Sequence, residues 1–283
     1  VHSFSFSVFL LLIAITSIQS GASLAKQLFP LIGSVGATTL RLFLATLILF
    51  VIWRPWKDKL SRPACLAIFF YGLSLGCMNL LFYLALERIP LGIAVALEFT
   101  GPLAVALMTS RKLLDFIWTI LAALGILLIL PVSKGVGEID LLGIVFALGA
   151  GCAWASYIVF GQKAGSYLKG GKATALGMLV ASFVVLPVAL LQKCTQILNP
   201  SLLPLAILVA VLSSALPYSL EMIALKRMPA KTFSILMSLE PVIAALAGLV
   251  FLNESLSLTQ VVAIACIIVA SLGSSLMQKN PAR

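Results

Sequence analysis

The sequence predicts an all-α integral membrane protein of ten transmembrane helices, arranged as two inverted five-helix repeats. Three observations carry this prediction: an apolar composition, a length that ten spans exhaust, and an internal repeat. Hydrophobic residues fill 61% of the 283 positions and charged residues only 10%, against roughly 45–50% and 25% in soluble domains. A membrane helix needs about 20 mostly apolar residues, so ten spans with short connections leave no length for a soluble domain.

Apolar runs bounded by charge, Gly or Pro place spans near 4–28, 33–53, 64–86, 90–110, 114–131, 140–162, 172–192, 202–224, 229–252 and 257–277. The first run lacks a basic leading segment and is too long for the apolar core of a signal peptide. It is therefore read as the first span.

The repeat is written in the sequence itself. Tyr83-Leu-Ala-Leu-Glu-Arg-Ile-Pro90 recurs 139 residues later as Met222-Ile-Ala-Leu-Lys-Arg-Met-Pro229, and the same offset carries Pro102 onto Pro241 and Asp115 onto Glu254. An offset of 136 aligns Ala37-Thr-Thr-Leu40 with Ala173-Thr-Ala-Leu176. The halves, 1–136 and 137–283, then hold five spans each. An odd number of spans turns the second half upside down relative to the first, an architecture common among secondary transporters.

Basic residues follow the same geometry. Arg54, Lys57, Lys59 and Arg62, then Arg111 and Lys112, Lys163, Lys169 and Lys172, Lys226, Arg227 and Lys231, and Lys279 and Arg283 fall on one side, 14 of the 19. The opposite loops carry only Arg88, Lys134 and Lys193. The positive-inside rule then puts both termini in the cytoplasm. The net charge of +10 lies in short clusters between apolar runs without a patch of interleaved aromatics, so it marks topology and gives no sign of a nucleic-acid partner.

Several kinds of chemistry find no residues to support them. The sole histidine is His2, there is no phosphate-binding glycine loop, no zinc-protease motif and no Ser-His-Asp set. Five scattered cysteines form neither a disulfide framework nor a metal site. No cofactor is expected.

What remains is polar groups inside the spans, where a charge at mid-bilayer costs about 2.5–3.5 kcal/mol on the lenient scale. They are Gln19 and Lys26 in the first span, Arg41, Asn79, Glu98, Glu221 and Glu240. Glu98 lies in Ala96-Leu-Glu-Phe-Thr-Gly-Pro102 and Glu240 in Ser238-Leu-Glu-Pro241. With the prolines aligned, the two carboxylates differ by three positions, about 60° around a helix and about 4.5 Å along it. Both sit deep on one face, so a central aqueous cavity is expected, with Glu98 and Glu240 able to exchange a proton for a bound cation. The alternative is a pair of glutamates held by helix-to-helix hydrogen bonds.

Glu221 reads two ways, as a third cavity carboxylate or as a partner for Lys226, Arg227 or Lys231. Arg41, roughly 12 Å from the start of its span at 1.5 Å per residue, either snorkels outward or meets a carboxylate. Lys26, within a turn of its span end, is expected to snorkel. Asn79, Tyr83, Trp154, Tyr157 and Tyr218 are candidate pocket-lining residues, the aromatic rings offering an apolar body with a polar tip. Pro102, Pro241 and Pro217 cannot bond the carbonyls of Glu98, Met237 and Ser213, and are read as hinge or gating positions. Gly72-Leu-Ser-Leu-Gly76 and Gly149-Ala-Gly-Cys-Ala153 offer small faces for close helix contact.

At Ser20-Gly-Ala-Ser-Leu-Ala-Lys26, Pro90-Leu-Gly-Ile-Ala-Val-Ala-Leu-Glu-Phe-Thr-Gly-Pro-Leu-Ala-Val-Ala-Leu107 and Leu216-Pro-Tyr-Ser-Leu-Glu-Met-Ile-Ala-Leu225 the sequence resembles bacterial threonine/homoserine exporters, in the EamA branch of the drug/metabolite transporter superfamily. The resemblance covers nearly the whole chain. It implies a ten-span inner-membrane carrier that exports small neutral amino acids against protons, with membrane lipid around it. One departure is the start at Val1 without the basic residues usual in such proteins, which reads as a trimmed N-terminus. Two other readings stay open: a carrier of another metabolite or a drug, and a membrane enzyme acting on lipid through Glu98 and Glu240. Assembly as a homodimer also stays open.

Overall fold

The computed structural model describes residues 2–58, 60–108, 140–168, 171–192, 199–227, 237 and 239–277, with scattered positions between 117 and 128. All regular elements among the described residues are helical. In chain order they are α1 (His2–Lys26), α2 (Phe29–Trp53), α3 (Arg62–Leu86), α4 (Leu91–Glu98), α5 (Thr100–Met108), α6 (Leu141–Tyr167), α7 (Lys172–Leu191), α8 (Leu203–Ala210), α9 (Leu216–Arg227), α10 (Glu240–Leu252) and α11 (Leu258–Met277). A π-helical turn, Val211–Ala215, joins α8 to α9.

Six described helical segments are long and apolar enough to cross a membrane: Phe9–Lys26, Phe29–Trp53, Arg62–Leu86, Leu141–Tyr167, Lys172–Leu191 and Pro200–Glu221. Shorter apolar helices cover Leu91–Val105, Glu240–Leu252 and Leu258–Ala270. The expected fifth span lies largely outside the described residues, as do 229–236 of the ninth, including Pro229, and Asp115 of the repeat.

Local chemistry explains where helices start, bend and stop. Ser61 caps α3 by accepting from Ala64 N, with Pro63 in the first turn, where a missing N–H costs nothing. The second helix begins earlier than the sequence suggests and kinks at Gly33, whose φ of 70° is cheap only for glycine. Asp140 caps α6 through Leu142 N. Asn253 closes α10 in the left-handed conformation at φ 51°. The expected fourth span breaks at Phe99 between α4 and α5, three residues before Pro102, because proline withdraws the donor that would carry the helix across.

Packing sets α3 against α6 and α7, α2 against α7 and α8, α1 against α9 and α10, and α4 between α6 and α10. The glycine faces do what their composition suggests. A Cβ on Gly101 would lie 1.9 Å from the Gly151 carbonyl oxygen, so the break between α4 and α5 presses against α6 backbone to backbone. Gly72 and Gly76 face α7 in the same manner.

The surface is inverted relative to a water-soluble protein. Phe43, Leu47 and Val51 on α2, Leu66 and Phe69 on α3, and Leu249 and Val250 on α10 stand exposed. Arg41, Glu98, Glu221 and Glu240 are buried. Apolar side chains outside and charge inside, on backbone satisfied within helices, is the arrangement a lipid solvent selects.

Candidate functional site

The buried charges converge on one cavity. Its lining includes Gln19 and Ala22 from α1, Arg41 from α2, Met78, Asn79, Phe82 and Tyr83 from α3, Glu98 from the end of α4, and Trp154 from α6. Ser213 of the π turn, Tyr218 and Glu221 of α9, Met237 and Glu240 complete it. The room inside is about 40 Å³. That admits a few waters at most, given 10–15 Å³ for each, so the side chains leave little free space between them.

Arg41 organises one wall. Its Nη1 donates to the Ser213 carbonyl oxygen at 3.0 Å and to Ser213 Oγ at 3.3 Å, and Nη2 donates to Asn79 Oδ1. The guanidinium carbon stands 4.4 Å from the centre of the Tyr83 ring, within cation–π range. Asn79 Oδ1 also accepts from the Tyr218 hydroxyl at 3.3 Å, and Asn79 Nδ2 donates to the Leu75 carbonyl at 2.7 Å. Arg41 does not snorkel; it shares the cavity with Glu98, Glu221 and Glu240, while its hydrogen bonds run to an amide and a serine. Two neutral acceptors in a low-dielectric interior suffice to hold a guanidinium whose planar fork can reach both.

The π turn makes this possible. Pro217 has no N–H to offer Ser213, so that carbonyl turns to Arg41, and the neighbouring Leu212 carbonyl accepts from Ser17 Oγ of α1 at 2.6 Å. Gly21 of α1 lies so close that a Cβ there would sit 2.7 Å from the Ser213 Cβ. Pro217 thus stands where the helix changes pitch, Pro102 just after the break at Phe99, and Pro241 in the first turn of α10.

On the facing wall, Gln19 Nε2 donates to Glu240 Oε1 at 2.9 Å, a buried bond between α1 and α10. Glu98 and Glu221 line the same cavity, each 7% exposed. Of the basic residues that could pair with Glu221, Lys231 and the side chains of Lys226 and Arg227 lie outside the described residues. Phe99 meets Trp154 edge-on at 5.5 Å, closing the α4–α6 side.

Of the candidates read from sequence, Arg41, Asn79, Tyr83, Glu98, Trp154, Tyr218, Glu221 and Glu240 meet at this cavity. Tyr157 is not among its lining residues and lies behind Tyr218, ring centres 6.2 Å apart, against Tyr71 at 5.1 Å. Sequence reasoning named Gln19 among the polar groups of the spans and the Ser213 carbonyl as freed by Pro217, but assigned neither to the site. The signal was present for both: Ser213 is the acceptor Pro217 leaves free, and Gln19 is an amide inside an apolar run.

A second cluster lies at an open cleft lined by Lys26, Glu87, Arg88 and Glu254. Lys26 forms an ion pair with Glu254 Oε1 at 2.6 Å, which corrects the snorkelling expectation: with a carboxylate in reach, the ammonium pairs instead of stretching to water. The other oxygen of Glu254 accepts from Leu91 N at 2.8 Å and so caps α4. Among the described residues no group of His, Cys, Asp and Glu could hold a metal.

An all-helical bundle with a lipid-compatible surface and a narrow, charged central cavity defines a multi-pass membrane protein built around a polar internal site. Residues 141–276 match the EamA-like transporter family. Over 270 residues the chain is 54% identical to the threonine/homoserine exporter RhtA of Salmonella typhimurium, covering 95% of this chain and 91% of that one. With RhtA of Escherichia coli (strain K12) the identity is 51% over 277 residues, or 98% and 93% of the two chains. The chain belongs to the EamA-like transporter family. A crystal structure 16% identical shares the fold with a TM-score of 0.63, covering 94% of this chain and 96% of that chain. Membership in a transporter family removes the lipid-modifying enzyme from consideration.

Proposed function

We propose that the protein exports small neutral amino acids of the threonine/homoserine type across a bacterial inner membrane, in exchange for protons, by alternating access. The observation that carries this is the joining of Glu98, Glu221 and Glu240 with Arg41 around one narrow cavity. Such a site offers acceptors to an ammonium group and a cation to a carboxylate, which is the charge pattern of an amino acid. Protons and substrate then compete for the same carboxylates, the requirement for coupling. The names of the relatives support the cargo.

The same reading includes ten spans in two inverted five-helix repeats, 1–136 and 137–283, with both termini cytoplasmic. The recurrence of Tyr83–Pro90 as Met222–Pro229 and the asymmetry of loop charge support it. Because the cavity is too small for an amino acid, loading requires the walls to part. The helix break at Phe99, the π turn before Pro217 and the start of α10 at Pro241 are the hinges we assign to that motion.

The test is flux of labelled threonine and homoserine from vesicles holding the purified protein under an imposed pH gradient. The wild type should drive uptake or release with the gradient, and Glu98→Gln and Glu240→Gln should each abolish gradient-driven flux. Flux that survives both substitutions overturns the coupling, and absence of wild-type flux overturns the cargo.

A further inference from the structure

Around the central cavity, four buried polar atoms have no hydrogen-bond partner among the described residues: Arg41 Nε, the Tyr83 hydroxyl, Gln19 Oε1 and Glu240 Oε2. Unpaired buried polar atoms are uncommon and call for an explanation such as a ligand. Arg41 has already engaged Nη1 and Nη2 with Ser213 and Asn79, and its Nε–H is left without a partner. The bond from Gln19 Nε2 to Glu240 Oε1 leaves one oxygen of each side chain open. The site therefore presents the Arg41 Nε–H as a donor, two open acceptor oxygens, and the Tyr83 hydroxyl, which can do either.

A primary ammonium group carries three donors and seeks acceptors, ionised ones above all. Glu240 supplies an acceptor whose rotation is fixed by an amide from another helix. Glu98 and Glu221 have no side-chain hydrogen bond fixing them among the described residues. Gln19 is 2% exposed and Glu240 6%, so neither is held there by solvent.

Building on the amino-acid export proposed above, we infer that Gln19 is a substrate-binding and positioning residue: its Nε2 orients Glu240, and its Oε1 joins Glu240 Oε2 in holding the substrate ammonium. Arg41 Nε faces the substrate carboxylate. Proton and ammonium then compete at Glu240, with Glu98 and Glu221 lining the same cavity. The arrangement spans α1 and α10, so ammonium binding draws together two helices that pack along one another.

The experiment measures threonine flux in vesicles for the full chain and for Gln19→Met, which keeps length and helix propensity but removes the amide. KM is expected to rise about tenfold with Vmax within about twofold, the effect of losing one or two hydrogen bonds to bound substrate. Gln19→Asn keeps the amide one methylene short and serves where the methionine variant does not fold. It too should raise KM, because it cannot reach Glu240 and the ammonium together. A merely structural glutamine would lower Vmax or protein yield and leave KM alone. Wild-type flux with KM unchanged in the folded variant overturns the role of Gln19 and leaves the export reading standing. Absence of threonine and homoserine flux in the wild type overturns the export reading, and this inference with it.

Discussion

Arg41 and Ser213 meet at 3.0 Å through a guanidinium N–H and a main-chain carbonyl that Pro217, four residues on, has no N–H to satisfy. A proline and an arginine 176 positions apart in sequence thus form one functional unit. The proline releases an acceptor, and the arginine is held by it.

Replacing Pro217 with Ala returns an N–H to that carbonyl and lets the π turn relax toward an ordinary helix. Arg41 then loses its main-chain anchor. Transport is expected to fall about tenfold, the equivalent of roughly 1.4 kcal/mol, while the melting temperature in detergent stays level or rises. Loss of both together would mean the proline acts only on stability.

The contact between Gly101 and Gly151 allows a graded test. Gly101→Ala would put a Cβ 1.9 Å from a carbonyl oxygen, whereas at Gly149 the nearest atom is the flexible Leu81 Cδ1 at 3.3 Å. Overpacking on this scale costs about 1–3 kcal/mol or more. Gly101→Ala should therefore lower the melting temperature clearly, and Gly149→Ala by much less. Equal effects would show that α4, α5 and α6 are not so tightly held.

Glu254 performs two jobs that separate by substitution. Glu254→Gln keeps an oxygen for Leu91 N and weakens the tie to Lys26. Glu254→Ala loses both. With the pair mostly shielded, at 21% and 16% side-chain exposure, removal of both bonds should cost about 1.5–3 kcal/mol. The glutamine variant should retain roughly half of that, measured by thermal melting.

Asp140 provides the pH dependence. It is exposed at the start of α6, and the hydrogen bond from Arg88, joined by that from Leu142 N, holds its carboxyl below the usual carboxylate range. A folded value below the unfolded one stabilises fully above about pH 4 and is lost as the pH falls further. Melting temperature between pH 6 and pH 3 should drop less in Asp140→Asn, which keeps the cap, than in the wild type. Parallel curves would remove Asp140 from the account.

Much of the site was legible because charge inside a span is costly and therefore rare. Glu98, Glu240, Glu221, Arg41 and Asn79 stood out in apolar runs, and the proline rule pointed to the Ser213 carbonyl before its partner was visible. What stayed hidden was pairing across long stretches of chain. Lys26 and Glu254 are 228 positions apart, and Gln19 and Glu240 are 221. Periodicity along a helix says which face a residue occupies but not which helix that face meets, so Lys26 read as a snorkelling lysine. Tyr157 shows the converse: its chemistry suited a pocket, and packing placed it one layer behind.

The cap that Glu254 places on α4 has a mechanical meaning. The helix runs only from Leu91 to Glu98, about 12 Å at 1.5 Å per residue, with the capped N–H at one end and the cavity carboxylate at the other. So short a helix cannot bend appreciably and moves as a connecting rod. In the alternating access proposed above, a shift of Glu254 at the cleft would pass along α4 toward Glu98. Because Glu254 also pairs with Lys26 at the end of α1, α4 and the helix that carries Gln19 are tied to one carboxylate.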